Sequence, residues 1–328
     1  MLESPKSWQE QLKQTVNNLS ELTTLLELDI KQLSVNLDPK FVLRAPLYYV
    51  NKIAKKDPQD PLLLQILPQK QESILQPNYC QDPLQEAKYL RAPGLIHKYY
   101  NRILLTITGA CGIHCRYCFR QYFPYHDNLV SQANRSLQLN YIKAHPQISE
   151  IILSGGDPLC ASNKFLDNLL HELNNISHVH TVRFHSRMPI VIPDRIDDDF
   201  ITVLNKYPRL KFILVTHCNH ANELDEHIKT KMFLLRQNQV TIFNQSVLLS
   251  NINASADTLI HLSQKLFDCH IIPYYLHLLD PVQGTSHFDV DSGTAKKLMS
   301  NIKNKLPGYL VPKLVREIPG EYSKTLIN

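Results

Sequence analysis

Nowhere in the 328 residues does an apolar run approach the roughly 18 residues that a membrane-spanning helix needs. The start, Met1-Leu-Glu-Ser-Pro-Lys-Ser-Trp8, has no basic region leading into an apolar stretch, so nothing in it reads as an export signal. Blocks of Lys and Arg are also missing: the 35 basic and 30 acidic residues are spread along the chain, and their net charge of +5 does not mark a nucleic-acid tail. Seven cysteines, an odd number without an export signal, exclude a disulfide framework. Four of them, Cys80, Cys160, Cys218 and Cys269, lie far apart and read as small buried apolar residues. There is no internal repeat beyond strand-helix units, and no low-complexity segment. The expectation is a soluble, globular, cytoplasmic protein. With 43% hydrophobic residues it can form one large domain, or a main domain plus a smaller one.

What the chain does contain, from residue 102 onward, is alternation. β-Branched and apolar runs at 102–108, 150–155, 179–186, 210–217, 239–246 and 270–277 read as six buried strands. Segments 161–175, 221–236 and 255–268 between them carry apolar residues at helical spacing. This pattern implies parallel strands joined by right-handed helical crossovers, in a barrel or an open α/β sheet. Polar residues gather at the strand ends, at Ser154-Gly-Gly-Asp157, His185-Ser-Arg187, Thr216-His217, Gln245 and His277. In parallel barrels that end is the active-site face. The first hundred residues differ. An amphipathic helical pattern from Trp8 to about Leu28 leads into a stretch broken by Pro58, Pro61, Pro68, Pro77, Pro83 and Pro93, too rich in proline for long regular elements.

Directly after the first strand stands Cys111-Gly-Ile-His-Cys115-Arg-Tyr-Cys118. Three thiolates at C-x3-C-x2-C spacing suit a soft iron centre, and a cubane held by three protein ligands leaves one iron open for an exogenous chelator. A structural zinc is the competing reading, with His114 or His126 completing a Cys3His tetrahedron.

The triplet at the end of the first strand, followed one strand later by Ser154-Gly-Gly-Asp157-Pro158, resembles the radical S-adenosylmethionine superfamily. Within it the chain resembles the lysine 2,3-aminomutases, from about residue 98 to the end. The matching stretches are Cys115-Arg-Tyr-Cys-Phe-Arg120, Leu153-Ser-Gly-Gly-Asp-Pro158, Ser186-Arg187, Thr216-His-Cys-Asn-His220, Asn244-Gln-Ser-Val-Leu-Leu249 and Pro273-Tyr-Tyr275 followed by Asp280. Phe41-Val-Leu-Arg-Ala-Pro46, Asp60-Pro-Leu-Leu63 and Pro93-Gly-Leu-Ile-His-Lys98 resemble the branch that makes (R)-β-lysine for modification of elongation factor P.

The resemblance implies a partial (β/α)6 TIM-like barrel over 98–307, an N-terminal helical subdomain over 1–97 and a C-terminal segment over 308–328. It implies a [4Fe–4S] cluster on Cys111, Cys115 and Cys118, with S-adenosylmethionine on the open iron and against Ser154, Gly155, Gly156, Asp157, Arg187 and Gln245. Pyridoxal 5′-phosphate would be carried by Lys324, with Arg102 and Lys98 at its phosphate. Lys98 stands where an arginine is usual, and can meet phosphate as a point charge without the bidentate fork. For the substrate L-lysine, Arg120 would hold the carboxylate, and Asp280 and Glu317 the side-chain ammonium; the second acid is usually aspartate. The implied reaction exchanges an amino group and a hydrogen between C2 and C3, initiated by a 5′-deoxyadenosyl radical. A reduced flavodoxin- or ferredoxin-type protein would supply the electron, and the product would serve elongation factor P through its lysyl ligase. No cysteine follows Cys269, which speaks against the structural zinc of larger relatives. Three rivals remain at this stage: a glutamate-type aminomutase, against which Asp280 and Glu317 weigh, a radical enzyme without pyridoxal phosphate, and a zinc-stabilised binding protein.

Overall fold

The structure, a computed structural model, describes residues 6–327. Its centre is a ten-stranded sheet in which the strands lie in chain order. They are β1 (Leu90–Ala92), β2 (Leu95–Tyr99), β3 (Arg102–Thr108), β4 (Glu150–Gly155), β5 (Thr181–Ser186), β6 (Lys211–Thr216), β7 (Thr241–Val247), β8 (Ile272–His277), β9 (Lys313–Arg316) and β10 (Thr325–Leu326). Strands β3 to β9 run parallel, while β1, β2 and β10 extend the two edges antiparallel. The six strands expected from the apolar runs are β3 to β8, with ends within two residues of those expected.

The crossover helices are α3 (Arg135–Ala144), α4 (Asn163–Asn174), α5 (Asp198–Asn205), α6 (Glu226–Gln237), α7 (Ala256–Asp268) and α8 (Ser292–Lys305), following α1 (Trp8–Lys13) and α2 (Leu19–Leu26) near the start. Each of α4 to α8 begins where a Ser or Asp side chain accepts a backbone N–H of the first turn: Ser162, Asp197, Asp225, Ser255 and Asp291. Such caps are worth about 1 kcal/mol each. In α4, Leu166, Leu169, Leu170 and Leu173 form the buried stripe against the sheet. Along β5, Val182 and Phe184 are buried in that layer. The period-two alternation sends Arg183 and His185 to the opposite face.

That opposite face is concave. Lys98 on β2 and Glu317, just past β9, are seven strand positions apart, roughly 34 Å in a flat sheet at about 4.8 Å per strand. Their side chains nevertheless meet at 2.8 Å. The sheet therefore curls into a partial barrel whose edges are joined by side chains and flanking segments, not by a closing ladder. Three hydrogen bonds fasten the seam: the Cys80 N–H donates to Pro281 O and the Gln283 N–H to Cys80 O, and the Gly320 N–H donates to the Tyr89 hydroxyl, each at 3.0 Å.

The helical pattern from Trp8 to Leu28 is two helices, because Thr15–Val16 pairs antiparallel with Ala45–Pro46 and Asn18 caps a fresh helix on Glu21 N. Pro93-Gly94 forms the turn between the short strands of the β1–β2 hairpin, in keeping with a stretch too rich in proline for long elements, with Gly94 at φ 76°, as proline followed by glycine favours in a type II turn. Cys218 and Cys269 are buried as expected, but Cys80 is exposed, since its backbone is held at the seam and its side chain faces outward; Cys160 is partly exposed. Residues of the N-terminal region, among them Trp8, Leu22, Tyr49 and Ile66, share one continuous core with the sheet. No helix among the described residues is long and apolar enough to cross a membrane.

Candidate active site

The cysteine loop leaves β3 at Thr108 and is braced from below by β4. The Gly156 N–H donates to Thr108 O and the Asp157 N–H to Ala110 O, both at 2.7 Å. A Cβ on Gly155, which has φ 127°, would overlap Thr108 O, and one on Gly156 would overlap Ala110 O. Glycine is thus required so that β4 can pass against the root of the cysteine loop. The sequence suggested approach to a ligand; the backbone approached is the protein's own. Asp157 is likewise committed internally: its carboxylate accepts from Ser186 Oγ (2.7 Å), Leu159 N (3.0 Å), Arg187 N (2.7 Å) and Met188 N (3.0 Å). It ties the end of β4 to the end of β5.

Cys111, Cys115 and Cys118 are all free thiols. Burial, then the proximity of Cys118 and Asp157, pushes the Cys111 thiol up, and burial with Cys115 beside it raises Cys118 to about 12. Thiols raised in this way need a positive centre to ionise, which is what an iron cluster offers, although among the described residues no three His, Cys, Asp or Glu side chains stand close enough together to hold a metal ion. Arg187 reaches the same place: Nη1 donates to Cys115 Sγ (2.7 Å) and to the Tyr117 hydroxyl (2.6 Å), and Nη2 to Gln65 Oε1 (2.7 Å) and Glu223 Oε2 (2.9 Å). Its Nε is buried without a partner, a donor available to a ligand. The two histidines considered as a fourth zinc ligand are engaged elsewhere. His114 bonds Val42 O through Nδ1 and stacks on Phe41, and exposed His126 pairs with Asp127.

The second cluster of charge lies where the sheet's edges meet. Glu317 accepts from Lys98 Nζ through Oε1 (2.8 Å) and from Lys324 Nζ through Oε2 (2.7 Å). Burial opposes ionisation of Glu317, yet the two ammonium groups overcome it and hold its carboxyl well below the usual range. Half-buried Asp280 shows the reverse. Burial, with Glu317 and Glu86 nearby and Lys324 and Lys98 in partial compensation, pushes it up to about 7. Arg102 lies over the Tyr99 ring, 4.4 Å from its centroid, and bonds Asn101 Oδ1 at 3.1 Å. His185 and His277 each have a buried, unpartnered Nε2, and their imidazoles are kept neutral first by burial, then by cations that include Lys324. Arg120 is gripped by Glu86, with Nε to Oε2 at 2.8 Å and Nη2 to Oε1 at 2.6 Å, and Nη1 donates to Ser154 Oγ at 2.9 Å. Gln245 is half-buried on β7 opposite Tyr275 in register, apart from these bonds.

No protein-family model matches the chain. It is 45% identical over 325 residues to an L-lysine 2,3-aminomutase of Escherichia coli (strain K12), an alignment covering 98% of this chain and 94% of that one. The chain belongs to the L-lysine 2,3-aminomutase family. A Haemophilus influenzae member is 43% identical, with 99% and 97% covered, and a longer Clostridium subterminale member is 32% identical, with 97% and 77% covered. A solved radical SAM methyltransferase from Sphaerobacter thermophilus, 14% identical over 68% of each chain at a TM-score of 0.47, is too distant to add to this.

Against the pattern of the aminomutase family, two departures stood out in the sequence, lysine at 98 and glutamate at 317. They bond to one another. Ammonium and carboxylate form a matched, largely buried ion pair, which two positions 219 residues apart do not reveal when read separately. Two acids that grip arginines of the candidate site, Glu223 on Arg187 and Glu86 on Arg120, are not evident from the sequence. Glu223 stands three residues past the flagged Thr216-His-Cys-Asn-His220, and Glu86 sits in Asp82-Pro-Leu-Gln-Glu86, where the proline-rich context masked an acid held at its backbone N–H by Asp82 Oδ1.

Proposed function

We propose that this aminomutase converts L-lysine to β-lysine with a [4Fe–4S] cluster, S-adenosylmethionine and pyridoxal 5′-phosphate. What carries the reading, beside family membership, is the meeting of Lys324, Lys98 and Glu317 where the sheet's edges come together, with Asp280 alongside. Cys111, Cys115 and Cys118 would hold the cluster. Ser154, Gly155, Gly156, Arg187 and Gln245 would surround S-adenosylmethionine, with Asp157 fixing the loop beneath them. Lys324 would carry pyridoxal phosphate, with Arg102 and Lys98 at its phosphate. When bound, these groups supply a deoxyadenosyl radical and a π-system that stabilises an unpaired electron.

The chain's own residues then bind, orient and exclude water. Arg120 would take the α-carboxylate of lysine in a charge-assisted fork. Glu317 and Asp280 would receive the side-chain ammonium. Lys98 and Lys324 both pair with Glu317. Loading the site would draw both lysines toward the cofactor and leave Glu317 for the substrate. Half-buried Asp280, its carboxyl pushed up to about 7, would then be ionised by the arriving ammonium. Curling the sheet around these charges keeps water from reactive species.

On resemblance alone, the reading extends to the (R) product, to a reduced flavodoxin- or ferredoxin-type donor, to supply of β-lysine for elongation factor P through its ligase, and to work in the cytoplasm. The test is anaerobic incubation of reconstituted protein with L-lysine, S-adenosylmethionine, pyridoxal phosphate and reductant, followed by chiral analysis. (R)-β-Lysine is expected. Absence of β-lysine together with β-glutamate formed from glutamate would overturn the proposal.

A further inference from the structure

We infer that Glu86 is a positioning residue that holds the Arg120 guanidinium in the one orientation able to grip a substrate carboxylate. The inference rests on Arg120 as the carboxylate-binding group and goes beyond it, to what makes that group selective.

A guanidinium has five N–H donors in a rigid plane, enough for two carboxylates on two different edges. Glu86 occupies one edge, through Nε (2.8 Å) and Nη2 (2.6 Å). Ser154 Oγ takes one donor of Nη1 (2.9 Å). One N–H therefore remains on each terminal nitrogen, two donors left for a second carboxylate. The guanidinium also lies against the rings of Phe119 and Phe123, at 5.0 and 5.8 Å from their centroids. Both partners are mostly buried, with 7% of the Arg120 side chain and 11% of the Glu86 side chain exposed. Glu86 is itself anchored, its N–H donating to Asp82 Oδ1 at 2.9 Å.

Two consequences follow. A long arginine side chain ordinarily loses rotamer freedom when it captures a ligand, and here that loss has been met in folding, so binding need not supply it. Glu86 also neutralises Arg120, so a substrate carboxylate is held by directed hydrogen bonds more than by net attraction. An α-amino acid is then favoured over its amide, because the amide nitrogen presents N–H groups to N–H groups.

The experiment is isothermal titration of L-lysine and of L-lysinamide into the anaerobic, cofactor-loaded protein, for wild type, Glu86→Gln and Glu86→Asp. Wild type is expected to prefer lysine. In Glu86→Gln lysine affinity should fall about tenfold, equivalent to 1.4 kcal/mol, while lysinamide affinity stays within about twofold. Glu86→Asp, which keeps the charge, should recover part of the loss and provides a reading if the glutamine variant fails to fold. An equal loss for lysine and lysinamide, or none for lysine, would overturn the role of Glu86. A wild type that does not distinguish the two ligands would instead remove Arg120 as the carboxylate-binding group, and the inference with it.

Discussion

Around the cysteine loop, buried charges are held by the protein: Asp157 has four donors, and Arg187 is shared by Cys115, Tyr117, Gln65 and Glu223. Around Lys324 the charges rely on one another. Lys98 and Lys324 share a single carboxylate, the side chain of Asp280 makes no hydrogen bond among the described residues, and His185 and His277 leave Nε2 unpartnered. Largely satisfied polar networks rigidify a fold, whereas unmet polar groups cost free energy until something meets them. The first region is built to hold a fixed geometry. On the proposed function, the second would exchange partners when ligands arrive.

Substitutions on the two sides should therefore fail in different ways. The largest effect belongs to Lys324→Ala, which should lower aminomutase turnover by about a thousandfold or more while reductive cleavage of S-adenosylmethionine continues; loss of both activities would break the separation of the two regions. Asp280→Ala should reduce kcat/KM for lysine by about 2–5 kcal/mol with the melting temperature little changed. Its raised carboxyl also sets a pH dependence. Bound ammonium favours the ionised form, so binding releases a proton below about 7, and lysine affinity should rise up to about tenfold per pH unit until it levels off near pH 7. Asp280→Asn should flatten that profile. Asp157→Ala should do the opposite of Asp280→Ala, costing about 1–3 kcal/mol of stability in denaturant unfolding because it strands buried donors. The smallest effect concerns the matched pair. Lys98→Arg and Glu317→Asp should each weaken pyridoxal phosphate or lysine binding, and together show a coupling of about 1 kcal/mol in a double-mutant cycle; strict additivity would mean the two side chains act independently.

Much of the rigid region was legible in the sequence, because it is built from local signals. Strands β3 to β8 are runs rich in apolar and β-branched residues, five of their six crossover helices are capped by Ser or Asp, and the three cysteines stand within eight residues. What escaped reading is what depends on the curl of the sheet. Nothing near Glu86 indicates that it will grip Arg120, and nothing in the spacing of Lys98 and Glu317 indicates that the chain's two flanks close on each other. Asp157 and the glycine pair were found but given a ligand-facing task; their bonds and close contacts are with the cysteine loop and β5. Short edge strands such as β9 and β10 are set by pairing more than by pattern.

The claim that the partner-exchanging region receives a cofactor has a direct test. Protein loaded with pyridoxal phosphate is reduced with borohydride, digested and mapped by mass spectrometry. The expected result is a phosphopyridoxyl group on the peptide containing Lys324, absent in Lys324→Ala. Labelling of Lys98 or another lysine instead, or no labelling of a protein that still forms β-lysine, would contradict the account.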